Sequence, residues 1–372
     1  MIAGVRLVNF KCFTDQTIPF GGVTLLAGVN GTGKSSVLQA LLVLRQSHLQ
    51  GLLRENRFGL NGDLVRLGTA ADTLNDAASD ESIVIELELE ASTARWRVGY
   101  EKGAEVLRGD PGEPSPSAAL QESLFSDRFQ YLSAERVGPR TFFPASEPSL
   151  RKAALGSAGE YTAQYLAAYG TRPVADLPLL RRASAASHLL RDQVEAWLSE
   201  ISPGVRLTAT AHPALDVYQL GFAFERERDV SASFRPTNVG SGLTYTLPVL
   251  VALLSAEKGS LIMIENPEAH LHPRGQVVMG ELIARAAGSG IQVVVETHSD
   301  HVLNGLRIAA LRGLVDPAMV RIHFFVRSVS GTNELISPRL DRRGRIDRWP
   351  PDFFDQWDRS LEELLQAGES AT

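Results

Sequence analysis

Residues 28–35 read GVNGTGKS, with the apolar run VTLLA before them and the periodic set Val37, Leu38, Leu41, Leu42 and Leu44 after them. No other stretch limits the fold as tightly. The spacing G-x-x-x-x-G-K-[ST] needs a strand to deliver it and a helix to receive it. Its glycines let the backbone curl so that successive N–H groups meet an anion at the positive end of the helix. A strand over 23–28 and a helix running to about His48 supply that context, which a chance glycine-rich turn would lack. The chemistry expected is nucleotide binding with ATP and Mg²⁺. Asn30, Gly31, Thr32 and Gly33 shape the cradle, Lys34 reaches the β and γ phosphates, Ser35 holds Mg²⁺ and Ser36 begins the packing of the helix.

Further strands and helices alternate later in the chain. Residues 261–265 and IQVVVETHS read as buried strands, with helices expected over 243–256, 274–287 and 300–312. Strands alternating with helices imply an α/β fold whose mostly parallel sheet is covered on both faces. Residues 2–9 also read as a strand, turning at Phe20-Gly21-Gly22 into 23–28. SIVIELELE and TARWRVGYE alternate like an antiparallel hairpin, and RFQYLSAER like a returning core strand. The stretch 102–120 is rich in Pro, Gly and Ser and reads as an exposed loop; helical patterns dominate 150–200, and a strand pair follows near 205–226. The nucleotide core is therefore expected to be split. Its parts are 1–50, a β-rich part over 51–150, an inserted helical and β region over 151–235, a second core part over 236–325 and a small C-terminal segment over 326–372.

In an open α/β sheet, ligands gather where strands end. Glu265, closing LIMIE, is placed to hold Mg²⁺ directly or through water; capping the next helix is its plainer role. His298, in ETHSDH, can sense the γ-phosphate as a donor whose charge is tunable near neutral pH. His270, His272, His298 and His301 suggest a transition-metal site at first sight, but neither spacing brings a third ligand. Gly240, Ser241 and Gly242 precede an apolar helix and form a second candidate anion loop, or a simple helix cap.

Composition excludes several classes. The 372 residues carry a net charge of −6, so nothing global attracts nucleic acid, although a local basic stripe would. One cysteine, Cys12, leaves no intrachain disulfide and no cysteine-based zinc site. No apolar run reaches the roughly 20 residues that span a bilayer, and the N-terminus lacks the pattern of a signal peptide. A reducing, cytoplasmic setting is the expectation.

Taken together, VRLVNFKCFTDQTIPFGGVTLLAGVNGTGKSSVLQALLVL resembles the opening of the RecF/SMC/Rad50 group of ABC-type ATPases. LIMIENPEAHLHP followed by VVVETHSDHVLNGL resembles the OLD-like (overcoming-lysogenisation-defect) ATPases of bacterial anti-phage defence. The closing DRRGRIDRWPPDFFDQWDRSLEELL is similar to a C-terminal segment borne by one branch of that group. The resemblance implies an ABC-type P-loop ATPase head with an antiparallel β subdomain. It implies a head-to-tail homodimer in which Gly28–Ser35 of one copy faces the Val239–Gly242 loop of the other across ATP. Glu265 then takes the Mg²⁺ position usually filled by Asp, His298 the switch histidine, and Ala269 to His272 the loop crossing the interface. Gln130 is a candidate for the Q-loop, and Arg136 for phosphate or a structural ion pair.

Two departures matter. Gly-Ser-Gly stands where the group has Ser-Gly-Gly, and Asn266 stands where it has a catalytic Glu. An amide orients water without accepting its proton, so Glu268 or the γ-phosphate must take that role, and slow hydrolysis follows. Full-length OLD proteins carry a Toprim nuclease domain; residues 299–372 are too few for one and hold no D-x-D. The resemblance thus implies a separately encoded effector, a nuclease or a toxin. A RecF-like ATPase acting on DNA and a non-hydrolysing, ATP-locked scaffold are the competing readings, whereas a transport ATPase is disfavoured by the large insertion. The aromatics Trp349, Phe353, Phe354 and Trp357 either fold back on the core or dock a partner.

Overall fold

Leu261 and Met263 pack into one apolar cluster, and Ile262 and Ile264 into another. A strand can serve two cores this way only when both of its faces are covered, which is why the core strands read as unbroken apolar runs. The computed structural model describes residues 1–109, 116–175, 177–227, 229–327 and 333–369. Its central sheet contains β3 (Val23–Gly28), β8 (Phe129–Leu132), β12 (Leu261–Glu265), β13 (Gln292–Glu296), β14 (Val320–Arg327) and β15 (Asn333–Ile336). The spatial order is β15-β14-β3-β13-β12-β8, and every pairing is parallel except that of β15 at the edge.

One face carries α1 (Lys34–Leu49) and a six-stranded antiparallel sheet. That sheet is built from β1 (Ile2–Phe10), β2 (Phe13–Pro19), β4 (Arg57–Gly59), β5 (Ser82–Leu89), β6 (Thr93–Gly99) and β7 (Val106–Gly109), in the order β2-β1-β5-β6-β7-β4. The opposite face carries α5 (Ser241–Ser255), α6 (Pro273–Gly288) and α7 (Asp300–Leu311), close to the ranges expected from sequence. Beyond them lie α2 (Glu147–Arg151), α3 (Thr162–Tyr169) and α4 (Leu190–Ile201). A small sheet ordered β10-β11-β9 joins this layer, from β9 (Phe143–Pro144), β10 (Val205–His212) and β11 (Val217–Phe224). The described residues end in α8 (Gln356–Glu369), and no helix among them is long and apolar enough to cross a membrane.

Several details depart from the sequence reading. β2 is a polar edge strand whose run TDQ hides its alternation, and it pairs with β1 outside the central sheet. The first fifty residues and the β-rich part share one sheet, since β1 also pairs with β5. The presumed loop over 102–120 contributes β7; its residues 110–115 lie outside the described ones. Among the described residues, region 150–200 holds three α-helices, α2 starting just before it, and one short 3-10 helix over Pro178–Leu180. β14 continues the parallel core on the far side of β3, where no strand was expected. The aromatic tail folds back: Phe353 is fully buried, with Phe324, Trp349 and Phe354 at ring distances of 4.9, 5.2 and 5.0 Å. The Trp357 side chain lies outside the described residues.

Candidate nucleotide site

Pleating decides which carboxylates meet the phosphate loop. Met263 in β12 and Val294 in β13 face the α1 side, so two residues on, Glu265 and Glu296 face it too. They are direct partners in the parallel register. The loop itself leaves β3 at Gly28, whose φ of 138° and tight contact with the carbonyl of Phe325 on β14 leave no room for a Cβ. Gly33, at φ 111°, is likewise wedged: a Cβ there would stand 2.6 Å from Cys12 Sγ. Thr32 is buried and donates its hydroxyl to the Val29 carbonyl at 2.7 Å, while Asn30 and Gly31 are exposed at the tip. Lys34 opens α1 and curls back, its Nζ donating to the carbonyls of Gly28 (3.0 Å) and Val29 (2.8 Å). Burial lowers its pKa, and Glu296 opposes that shift. Ser36 is buried on the next position of the helix.

Ser35 donates its hydroxyl to Glu296 Oε1 at 2.9 Å. The second oxygen, Glu296 Oε2, is buried without a partner, in a residue only 6% exposed. Burial pushes the Glu296 carboxyl up to about 6; Glu265 and Glu268 add to the rise, while Ser35 and Lys34 oppose it. Glu265 accepts from the Tyr131 hydroxyl at 2.9 Å and from the Ala134 N–H at 3.0 Å. An oxygen-only set of a loop hydroxyl and two carboxylates, one with an unmatched oxygen, suits a hard cation such as Mg²⁺. Ser35 and a carboxylate of this pair, Glu265 or Glu296, are the residues that would hold it, and the ion would neutralise charge on the β and γ phosphates.

Asn266 ends β12 in the left-handed region, at φ 44°, with its N–H donating to the Glu296 carbonyl at 2.8 Å. Asparagine tolerates that conformation better than most residues. Its side-chain Oδ1 is buried and unmatched. Glu268 accepts from the backbone N–H of His298 at 2.8 Å through Oε1, and its Oε2 is also unmatched. The His298 ring is exposed; its pKa is lowered by partial burial and Lys34 and raised by Glu268. The chain therefore brings Lys34, Ser35, Glu265, Asn266, Glu268 and His298 to the strand ends around one loop.

The Gly240–Gly242 loop goes elsewhere. Gly240 caps α5, Gly242 packs so closely on the His270 carbonyl that a Cβ would stand 2.6 Å away, and Tyr245 stacks on the His270 ring at 4.2 Å. Within one chain it braces Ala269–His272. Gln130 spends its amide on Ala153 and Leu155, at 2.7 and 3.3 Å. Arg136 is a backbone clasp, donating to the carbonyls of Ser133, Tyr245, Glu265 and Asn266 and so fixing the end of β12. The remaining histidines disperse, His272 capping α6 and His301 lying beside Asp300. Among the described residues no three His, Cys, Asp or Glu converge on a metal position.

Sequence reasoning passed over Glu296, Tyr131 and the placement of the tail beside the loop. Glu296 stood in the ETHS segment as a charge closing an apolar strand, which was its only signal. Tyr131 gave none. Asp352, Phe354 and Asp355 line a cavity of about 240 Å³ with Gly28, Val29, His298 and Phe324, a neighbourhood created only when the tail folds back.

Comparison with known proteins agrees with a P-loop ATPase fold. Residues 23–304 match the family model described as "AAA domain, putative AbiEii toxin, Type IV TA system", and residues 315–364 match one described as a protein of unknown function, DUF3696. The chain is 24% identical over 342 residues to the OLD nuclease of Thermus scotoductus, covering 84% of this chain and 61% of that protein. It is 36% identical over 76 residues to the DNA double-strand break repair Rad50 ATPase of Archaeoglobus fulgidus, covering 20% and 8%. The chain thus spans less than two thirds of either relative. The SMC head bound to the C-winged helix domain of ScpA shares its fold at a TM-score of 0.53 and 15% identity, over 91% of this chain and 98% of that one. The Pyrococcus furiosus Smc head with an extended coiled coil does so at 0.50 and 15%, over 98% and 99%. With roughly three quarters of its length inside the first match, the chain belongs to that AAA-domain family, a P-loop ATPase lineage related to the OLD and Rad50 proteins and sharing the fold of the SMC head.

Proposed function

We propose that this chain is a slow ATP-driven switch. It binds ATP with Mg²⁺ on Gly28–Ser35, closes head-to-tail on a second copy and hydrolyses the nucleotide at a low rate. In the closed state it regulates a separately encoded effector, a nuclease or a toxin, in anti-phage defence. One observation supports the dimer: the tip of the phosphate loop is exposed, and Gly240 of the second glycine loop is exposed with open space beside it while Gly242 packs on the His270 loop. Slow turnover rests on Asn266, an amide held in a left-handed turn where a proton acceptor would be needed.

Size-exclusion chromatography with Mg²⁺ and ATP tests the switch. The wild type should shift to twice its mass, and both Lys34→Ala and Ser241→Arg should stay monomeric, the latter while still binding ATP. A wild type whose mass ignores nucleotide would sink the dimer.

A second reading, an ATPase acting on DNA, is favoured by one feature. Arg339, Arg342, Arg343, Arg345 and Arg348 are all exposed on a turn pinned by Asp341 and Asp347.

A further inference from the structure

We propose that Glu296, rather than Glu265, is the protein carboxylate in the coordination shell of the nucleotide's Mg²⁺, beside Ser35. The inference deepens the reading of this site as one for Mg²⁺ and ATP, and rests on it. Motif position assigns the metal to the end of β12, yet both Glu265 oxygens already accept hydrogen bonds, from Tyr131 and from the Ala134 N–H. Turning Glu265 towards a metal would strip two donors of their partner, one of them the hydroxyl of a buried tyrosine.

Glu296 differs in each respect. Its strand, β13, lies directly beside β3, the strand that carries the loop, and Glu296 pairs in register with Leu26, two residues before Gly28. Its Oε1 already meets the Ser35 hydroxyl. Its Oε2 is buried and unmatched. A buried carboxylate oxygen without a donor is costly, and a cation relieves that cost. Lys34 acts on it only through its charge, because its ammonium donates to the carbonyls of Gly28 and Val29 rather than to this oxygen. Mg²⁺ takes oxygen ligands and keeps part of its water, so one hydroxyl, one carboxylate oxygen and the phosphates are a sufficient set. Glu265 then has a positioning role. It holds the turn after β8 by way of Tyr131 and Ala134, and Arg136 clasps its carbonyl.

The test measures binding of a fluorescent N-methylanthraniloyl ATP to the full chain as free Mg²⁺ is varied, with EDTA as the metal-free control. Glu296→Gln should keep the EDTA affinity and raise the Mg²⁺ needed for half-maximal enhancement by about tenfold or more, as Ser35→Ala should. Glu265→Gln should shift it distinctly less. A larger shift in Glu265→Gln, or an unchanged Mg²⁺ dependence in Glu296→Gln, overturns the assignment. If Glu296→Gln does not fold, Glu296→Asp, which withdraws the oxygens by one methylene, must show an intermediate shift; no shift overturns the proposal equally. A wild type that binds the ATP analogue neither with Mg²⁺ nor without it would instead sink the nucleotide-site reading on which this one rests.

Discussion

At the scale of single residues, the proposed slow turnover rests on two positions. Asn266 sits where a base is wanted, and its backbone is bent left-handed by the bonds to Glu296 and Arg136. Introducing a carboxylate there, Asn266→Glu, should raise multiple-turnover phosphate release by about tenfold or more, since a positioned base contributes roughly 10²–10⁴-fold. It should also cost about 1 kcal/mol of stability, because glutamate fits that φ less well. An unchanged rate in a folded variant would remove the vacant base as the cause of slow turnover. Glu268 is the alternative acceptor, anchored by the His298 N–H with one oxygen unmatched.

Among the elements, β14 decides most. It flanks β3 on the side opposite β13, forces glycine at position 28 and gives Phe353 its ring partner, Phe324. His323 on the same strand is 1% exposed, with Nε2 donating to the Pro19 carbonyl at 2.6 Å and Nδ1 accepting from Ser337 at 2.8 Å. Burial lowers its pKa, as does Arg321, and the Pro19 carbonyl opposes them. A histidine depressed in the folded state contributes stability that is complete above its unfolded value near 6.5 and is lost as pH falls through the folded value. Urea midpoints at pH 7.5 and 5.5 should therefore fall further for the wild type than for His323→Gln. Equal falls would show that this histidine does not set the acid limb.

On the scale of the whole molecule, charge is unevenly spread. Residues 339–348 hold five Arg and two Asp, a local +3 on a chain whose total is −6. Composition hid this patch, because the remainder outweighs it. If the patch engages DNA, binding should weaken steeply with salt, and changing Arg342, Arg343 and Arg345 together to Gln should flatten the slope by up to about three phosphate contacts. Salt-titrated fluorescence anisotropy with duplex DNA measures this; no wild-type binding at low salt would retire the DNA reading.

Sequence alone was enough for the phosphate loop, the α/β class and the strand end at Glu265, whereas His298 follows the end of β13 by two residues. Each is a local matter of spacing or of one element's periodicity. The helices α1, α5, α6 and α7 were legible for the same reason, since apolar period and caps are written along the chain. What tertiary structure decided are contacts between segments far apart in sequence. Ser35 meets Glu296 across 261 positions and Tyr131 meets Glu265 across 134. The polar edge strand β2 is stabilised by pairing with β1 rather than by its own pattern, and the tail reaches the phosphate loop only through the burial of Phe353. Spacing identified the loop of phosphate-binding type. Strand order and pleat, which no single segment encodes, decided which carboxylate stands beside it.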